Sequence, residues 1–331
     1  MLRFLSCFLI IGLCLSACQP APAPIGWSTL DPEHSPPPSA YGGVAYDNVS
    51  GKAILFGGIT METWLDETWT WDGRDWEQLT PANHPPAREK PGMAYDEVRK
   101  RIVLFGGTTQ DTLFNDTWEW DGSDWHQLDP AHRPPARCCH AMAYDNVSQG
   151  ILLYGGWDSG TNTFLNDTWL WDGTDWAELS CCDAPQMSGH AMVTFSNQEE
   201  IIAMMTADWG TWSWNGIQWR NLRQPGPPSR SSGWFAYDSD NHRAIFFGGH
   251  KDDQFLNDTW VFDGIGWSEL SLLTQPPPRY GHIMFYDTRR QTTILFGGVG
   301  TGKENWTLGD TWELNLPKDL DDIAVTPTAQ P

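Results

Sequence analysis

The fold class this sequence predicts is all-β: a six-bladed β-propeller whose N-terminal strand completes the last blade. Three observations point to it. A unit containing Thr-Trp-x-Trp recurs along the chain, apolar runs ending in Gly-Gly recur ahead of it, and the two chain ends carry complementary fragments of one unit. Composition agrees, since Gly 32, Pro 24 and Trp 21 among 331 residues suit short strands and tight turns better than long helices.

The clearest copies of the unit are Asn115-Asp116-Thr117-Trp118-Glu119-Trp120-Asp121-Gly122, its counterpart over 166–173, and a third over 257–264; weaker copies begin at Asp66, Gly210 and Asp310. The equivalent tryptophans are Trp69, Trp118, Trp169, Trp212, Trp260 and Trp312, roughly fifty residues apart. Ahead of each lies a β-branched or aromatic run such as Ile102-Val103-Leu104-Phe105-Gly106-Gly107. One unit therefore reads as four strands: an inner strand such as 141–144, the run into Gly-Gly, the Thr-Trp-x-Trp strand, and a closing strand such as 176–179. Asp-Gly-x-x-Trp joins the last two as a hairpin turn. No helix start follows the glycine pairs, so they read as places of close packing rather than phosphate cradles.

The sixth unit stops at Leu316-Pro317 without a closing strand. At the other end, Ile25-Gly26-Trp27-Ser28-Thr29-Leu30 has no strands before it and nearly copies Ile265-Gly266-Trp267-Ser268-Glu269-Leu270. Residues 25–30 are thus expected to close the last blade, which removes an open sheet edge. The propeller should span 25–316, with 317–331 a loose tail.

Before the propeller comes an address. Arg3 precedes an apolar run from Phe4 to Leu15, too short to span a bilayer and suited to a signal-peptide core. It ends in Leu15-Ser16-Ala17-Cys18, which resembles the bacterial lipobox. That resemblance implies cleavage after residue 17, lipidation of Cys18, and a lipid-anchored protein facing the periplasm or cell exterior. The Pro/Ala stretch over 18–24 reads as a spacer. The net charge of -22 sets nucleic acid aside as a partner, because phosphate recognition relies on Lys and Arg.

The Gly-Gly pair, the downstream Trp and the Pro-Pro-x-Arg…His stretch before the inner strands resemble Kelch repeats over nearly the whole mature chain. The fourth unit departs most, with Met204-Met205 in place of Gly-Gly. The resemblance implies a structural role for Arg88, Arg137, Arg230 and Arg279, and for His140, His190 and His282, which start three inner strands near the central channel. Three imidazoles around one opening are also the weak metal candidates of this chain.

Antiparallel strands place the connections between blades and the loops after Gly-Gly on one face, where the longer, varied loops gather. Trp157, Trp209 and Trp306 fall in those loops and follow no repeat rule, unlike Trp64, which shares an apolar slot with Leu113, Phe164 and Phe255. These three indoles, with Asp158, Asp208, Asp252, Asp253 and Glu304, are the candidate binding residues. Beyond the signal region the cysteines form two adjacent pairs, Cys138-Cys139 and Cys181-Cys182. In an oxidising compartment they suggest two disulfides with three possible connectivities, a thiolate metal site being the alternative.

The function this supports is a monomeric, non-catalytic, membrane-tethered scaffold without cofactor, presenting its loop face to a glycan, peptide or protein. The other reading is a propeller enzyme acting on carbohydrate, since propellers resembling this one include a copper-radical galactose oxidase and sialic-acid isomerases. Galactose oxidase needs a Tyr cross-linked to Cys, whereas the cysteines available here sit in adjacent pairs. No Ser-His-Asp grouping or distinctive carboxylate pair stands out, and fold alone does not fix function.

Overall fold

The computed structural model describes residues 25–180, 184–196, 201–207, 210–302, 306–320, 323 and 325–327. Strand β1 (Gly26–Leu30) comes first. The first sheet holds β2 (Gly43–Asp47), β3 (Lys52–Phe56), β4 (Thr68–Trp71) and β5 (Trp76–Leu79), paired antiparallel in that order. The second repeats it with β6 (Gly92–Asp96), β7 (Arg101–Phe105), β8 (Thr117–Trp120) and β9 (Trp125–Leu128). The third holds β10 (Ala141–Asp145), β11 (Gly150–Asp158), β12 (Thr163–Trp171) and β13 (Trp176–Leu179). The fourth holds β14 (Ala191–Ser196), β15 (Ile201–Ala207), β16 (Gly210–Trp214) and β17 (Trp219–Asn221).

The fifth sheet begins with β18 (Trp234–Asp238) and β19 (Arg243–Phe247); a small ribbon, β20 (His250–Lys251) with β21 (Gln254–Phe255), precedes its β22 (Thr259–Phe262) and β23 (Trp267–Leu270). The sixth holds β24 (Arg279–Tyr280), β25 (Ile283–Asp287), β26 (Thr292–Gly300) and β27 (Thr307–Asn315). Strand β1 pairs with β27, Trp27 facing Leu314 and Thr29 facing Trp312, as the chain ends predicted. Finally, β28 (Val325–Pro327) pairs with β23. Of the stretch 317–331, expected to be a loose tail, residues 325–327 pair through backbone on the open edge of β23. Ile323, 6% exposed, joins the adjacent core, and the Pro317 carbonyl accepts from Arg243.

The innermost strands touch in the cycle β2, β6, β10, β14, β18, β25 and back to β2, which makes the architecture a β-propeller. Its core is divided among the joints between sheets. One cluster unites Ala45, Ile54 and Phe56 of the first sheet with Met93, Ile102, Leu104 and Trp120 of the second. Similar clusters fill the other joints, including that between the sixth sheet and the first. Neighbours on both faces explain why second strands such as Ile54-Leu55-Phe56 read as unbroken apolar runs. The outer strands are wetter: in Trp76-Glu77-Gln78-Leu79 only the indole is buried.

That indole ties one sheet to the next. Trp76 Nε1 donates to Thr311 Oγ1, Trp125 to Thr68, Trp176 to Thr117, Trp219 to Thr168, Trp267 to Thr211 and Trp27 to Thr259, at 2.9–3.2 Å. In each case a closing-strand tryptophan reaches the third strand of the preceding sheet. Trp27 fills this position for the sixth sheet, so β1 serves as its closing strand.

The glycine pairs form a second latch. The amide of Gly107 donates to the Arg137 carbonyl of the next sheet at 2.9 Å, and the Gly58, Gly156, Gly249 and Gly298 amides do the same at their joints. Gly106 adopts φ +64, and a Cβ there would lie 2.6 Å from the Arg137 carbonyl oxygen. No other side chain fits that approach. In the fourth sheet Met205 pairs with Trp212 as Leu153 pairs with Trp169, so Met204-Met205 lie within the second strand rather than in place of Gly-Gly, and Ala207 stands where the third sheet has Gly155.

Candidate functional site

The four arginines that recur in the repeats are structural. Arg137, wholly buried, donates from Nη1 and Nη2 to the two carboxylate oxygens of Asp167 at 2.6 and 2.7 Å, from Nη1 to the Gly155 carbonyl, and from Nε to the Pro135 carbonyl. Asp167 also accepts from Trp169 Nε1 at 2.7 Å. Arg88 with Asp116, Arg230 with Asp258 and Arg279 with Asp310 repeat the arrangement. The Pro-x-Arg and Asn-Asp-Thr-Trp motifs are thus two halves of one lock, fixing the loop after Gly-Gly against the incoming connection.

Two residues beyond each arginine position, the connection turns toward the axis. The residues there are Tyr41, Lys90, Cys139, Gly189, Ser232 and Gly281, all in the left-handed region, with φ of 60°, 55°, 61°, 65°, 56° and 63°. Side chains in that region cost of order 1 kcal/mol each, and the surroundings hold them there. Backbone hydrogen bonds chain these residues together. Tyr41 N–H donates to the Gly281 carbonyl and Lys90 N–H to that of Tyr41, both at 2.7 Å. Gly189 donates to Cys139 at 2.9 Å, Ser232 to Gly189 and Gly281 to Ser232, both at 2.8 Å. The result is an annulus with one residue from each sheet. Five such backbone bonds join its neighbours, which leaves the side chains free to differ.

They do differ, and unevenly. Tyr41, Lys90 and Cys139 make a bulky arc, while Gly189, Ser232 and Gly281 make an open one. A cavity of about 760 Å³ lies over the annulus, its wall completed by Phe164, Met187, Trp234 and His250. Lys90 holds its ammonium 4.3 Å over the Tyr41 ring and 3.7 Å from Glu89. Burial works against that charge, but Cys139 and Glu89 outweigh it and raise the Lys90 pKa. Burial, with Tyr280 beside it, pushes the Tyr41 phenol above its ordinary range, so it stays a neutral donor. The cavity wall thus combines aromatic faces, one fixed cation and a hydroxyl.

The ring nitrogens of the three histidines do not gather at one point. His140 packs edge-on against Phe105 at 5.7 Å, His190 against Tyr154 at 5.6 Å, and His282 against Phe247 at 5.5 Å, each at a different joint. Burial holds His140 well below its ordinary pKa and brings His190 and His282 down to about 4 and about 3. They are neutral packing groups at physiological pH. Only His140 and His190 reach the cavity wall. Among the described residues, the one group whose ligand atoms could gather on a cation is Glu33, His34 and Asp75, on the exposed surface.

The candidate binding residues fare differently from one another. Trp157 and Trp306 are half-buried and lie off the wall of the cavity, Trp157 pairing with Phe164 across β11 and β12. Asp158 caps its own turn, accepting from Gly160 N and Thr161 Oγ1. Burial acts upward on its carboxyl, but these donors outweigh it and lower the pKa. Asp252 and Asp253 sit exposed in the turn of the small ribbon. Trp209, Asp208 and Glu304 lie outside the described residues, as do Cys18, Cys181 and Cys182. Cys138 and Cys139 are free thiols with their sulfurs 2.9 Å apart.

The cavity residues that sequence reasoning missed are Tyr41, Lys90, Ser232 and Phe164. Phe164 was expected to be packing, yet it is 53% exposed and stands on the cavity wall, because β11 and β12 run long and carry it beyond the core. The other three have a usable signal, their fixed spacing from the Pro-Pro-x-Arg position.

Comparison with known proteins agrees with this geometry. Residues 25–205, more than half of the chain, match the family model described as the KLHDC2/KLHL20/DRC7 Kelch-repeats domain. Over 97 residues, 27% of this chain, the sequence is 31% identical to a tRNA wybutosine-synthesizing protein 4 of Aspergillus fumigatus, of which it covers 9%. Over 116 residues, 33% of the chain, it is 27% identical to an F-box/kelch-repeat protein of Arabidopsis thaliana, of which it covers 24%. The chain therefore spans a quarter or less of the length of these relatives. With the repeat, the interlocking glycines and the arginine locks in place, the chain belongs to the Kelch-repeat family.

Proposed function

We propose that this chain is a six-bladed Kelch propeller acting as a non-catalytic binding module, and that it takes a peptide segment of a partner protein into the cavity over its annulus. The observation that carries this reading is the uneven annulus: six equivalent backbone positions in one left-handed conformation, bearing a tyrosine, a lysine, a cysteine, a serine and two glycines around one opening. A scaffold under purely structural demands has no reason to place a phenol, an ammonium and a thiol opposite two glycines and a serine. The aromatic wall suits an apolar side chain, while Lys90 and Ser232 suit backbone carbonyls or a carboxylate. Six inner strands in a closed cycle and six tryptophan-to-threonine links support the blade count. The lipobox-like segment ending at Cys18 supports a lipid tether that would present this face away from a membrane.

A peptide and glycan array tests the proposal. Peptide signal should be lost in Ser232→Trp, which fills the open arc at a position already tolerating a side chain, and should survive Trp306→Ala. Binding retained by Ser232→Trp, or a glycan as the ligand, would overturn it.

A further inference from the structure

We propose that Cys138 and Cys139 form a two-electron thiol–disulfide site on the cavity wall, in which Cys139 attacks a small external disulfide and Cys138 resolves the adduct into a vicinal protein disulfide. Three observations carry this, and none depends on what the cavity binds.

The first is geometry. The two sulfurs are 2.9 Å apart and both are free, so bonding asks for an approach of less than about 1 Å toward the ordinary S–S length. The second is the division of access. Cys139 is partly exposed and lines the cavity, whereas Cys138 is 2% exposed and pinned by paired backbone bonds with Trp157. One thiol can meet a reagent and the other can meet only its neighbour. The third is that the fold does not require sulfur here. The same two positions hold Ala40-Tyr41, Glu89-Lys90, Ser231-Ser232 and Tyr280-Gly281 in other sheets, where the second residue's amide bonds the preceding annulus carbonyl without any sulfur.

The surroundings favour the same order of events. The contact between the two sulfurs, with Lys90 nearby, lowers the Cys139 pKa against its burial, while the same contact and burial raise that of Cys138. A thiolate is the attacking form. In the first step the Cys139 thiolate bonds one sulfur of the external disulfide, whose S–S bond breaks and releases one thiolate. In the second, Cys138 gives its proton to solvent and its sulfur bonds Cys139, expelling the other half of the reagent. Two protein thiols become one disulfide, and the external disulfide is reduced to two thiols.

The test uses the full chain carrying Cys181→Ser and Cys182→Ser, treated with 4,4′-dithiodipyridine, alkylated in denaturant, and cleaved before aspartate so that 129–144 is isolated. The proposal expects this fragment unlabelled and two hydrogens lighter than its reduced form, with two thiopyridone molecules released per pair. Adding Cys138→Ser should trap the thiopyridyl group on Cys139, and Lys90→Met should slow the first release several-fold near neutral pH. A fragment that retains two thiopyridyl groups, or that stays fully alkylatable, would overturn the proposal. The decisive reading comes from intact Cys138 and Cys139, so it does not depend on how the Cys138 and Lys90 variants fold. Loss of peptide binding without loss of this chemistry would count against the proposed function alone.

Discussion

Replacing Trp27 probes how the ring is held shut. The side chain is 2% exposed, its ring lies 5.2 Å from Phe247, and its Nε1 donates to Thr259 at 2.9 Å. Burying about 200 Å² of indole at about 25 cal/mol per Å² is worth about 5 kcal/mol. Alanine keeps a small part of that, so Trp27→Ala should lose about 4 kcal/mol, within the range for large-to-small core changes. Trp27→Phe keeps the apolar body but leaves the Thr259 hydroxyl without its donor, and should lose about 1 kcal/mol. Trp267→Ala removes the equivalent residue of the fifth sheet, bonded to Thr211 at 2.9 Å, and supplies the internal standard. Urea unfolding followed by far-UV circular dichroism measures all three. If β1 closes the ring, the losses for Trp27→Ala and Trp267→Ala should agree within about 1 kcal/mol. A loss below about 1 kcal/mol at Trp27 with a full loss at Trp267 would show that the N-terminal strand is peripheral, refuting the reasoning.

Other expectations follow from the locks and turns. Burial raises the Asp167 carboxyl, but Arg137 and Trp169 outweigh it and lower the folded pKa. Its stabilisation is therefore complete above the unfolded value of about 3.9 and is lost as pH falls through the lower folded value. Arg137→Gln should cost about 3–5 kcal/mol at neutral pH and flatten the acid limb of stability against pH, read by denaturation at a series of pH values. Gly106→Ala drives a Cβ to 2.6 Å from the Arg137 carbonyl and should cost about 2–4 kcal/mol by the same assay; at Gly122, also at positive φ but with nothing within 4 Å, alanine should cost about 1 kcal/mol. On the surface, Asp75 bonds His34 Nδ1 at 2.8 Å and raises the His34 pKa. A proton NMR titration should place His34 above an ordinary histidine, and Asp75→Asn should bring it back.

Much of the fold was legible because the repeat writes its own interactions into the sequence. The indole at the start of each closing strand, the glycines after each second strand and the Arg and Asp of each lock recur at fixed spacing, and each meets a partner one sheet away or within its own. Trp27 could be placed at the far end of the chain because its segment copies the one around Trp267. The tail was missed for the opposite reason: β28 pairs through backbone on the edge of β23, which leaves no periodic pattern to read. The site was only half legible. Unusual residues drew attention to Trp157 and Trp306, yet the cavity is built at Tyr41, Lys90 and Ser232, ordinary residue types made special by a shared backbone position. Position in the repeat, rather than rarity, was the informative signal.

Hydrogen–deuterium exchange of the protein with and without an array-selected peptide tests the central claim most directly. The account predicts slowed exchange in the connections around Tyr41, Lys90, Gly189, Ser232 and Gly281, with no change in the opposite-face turns over 47–51 and 238–242. Slowed exchange confined to those opposite-face turns, with the annulus unaffected, would contradict it.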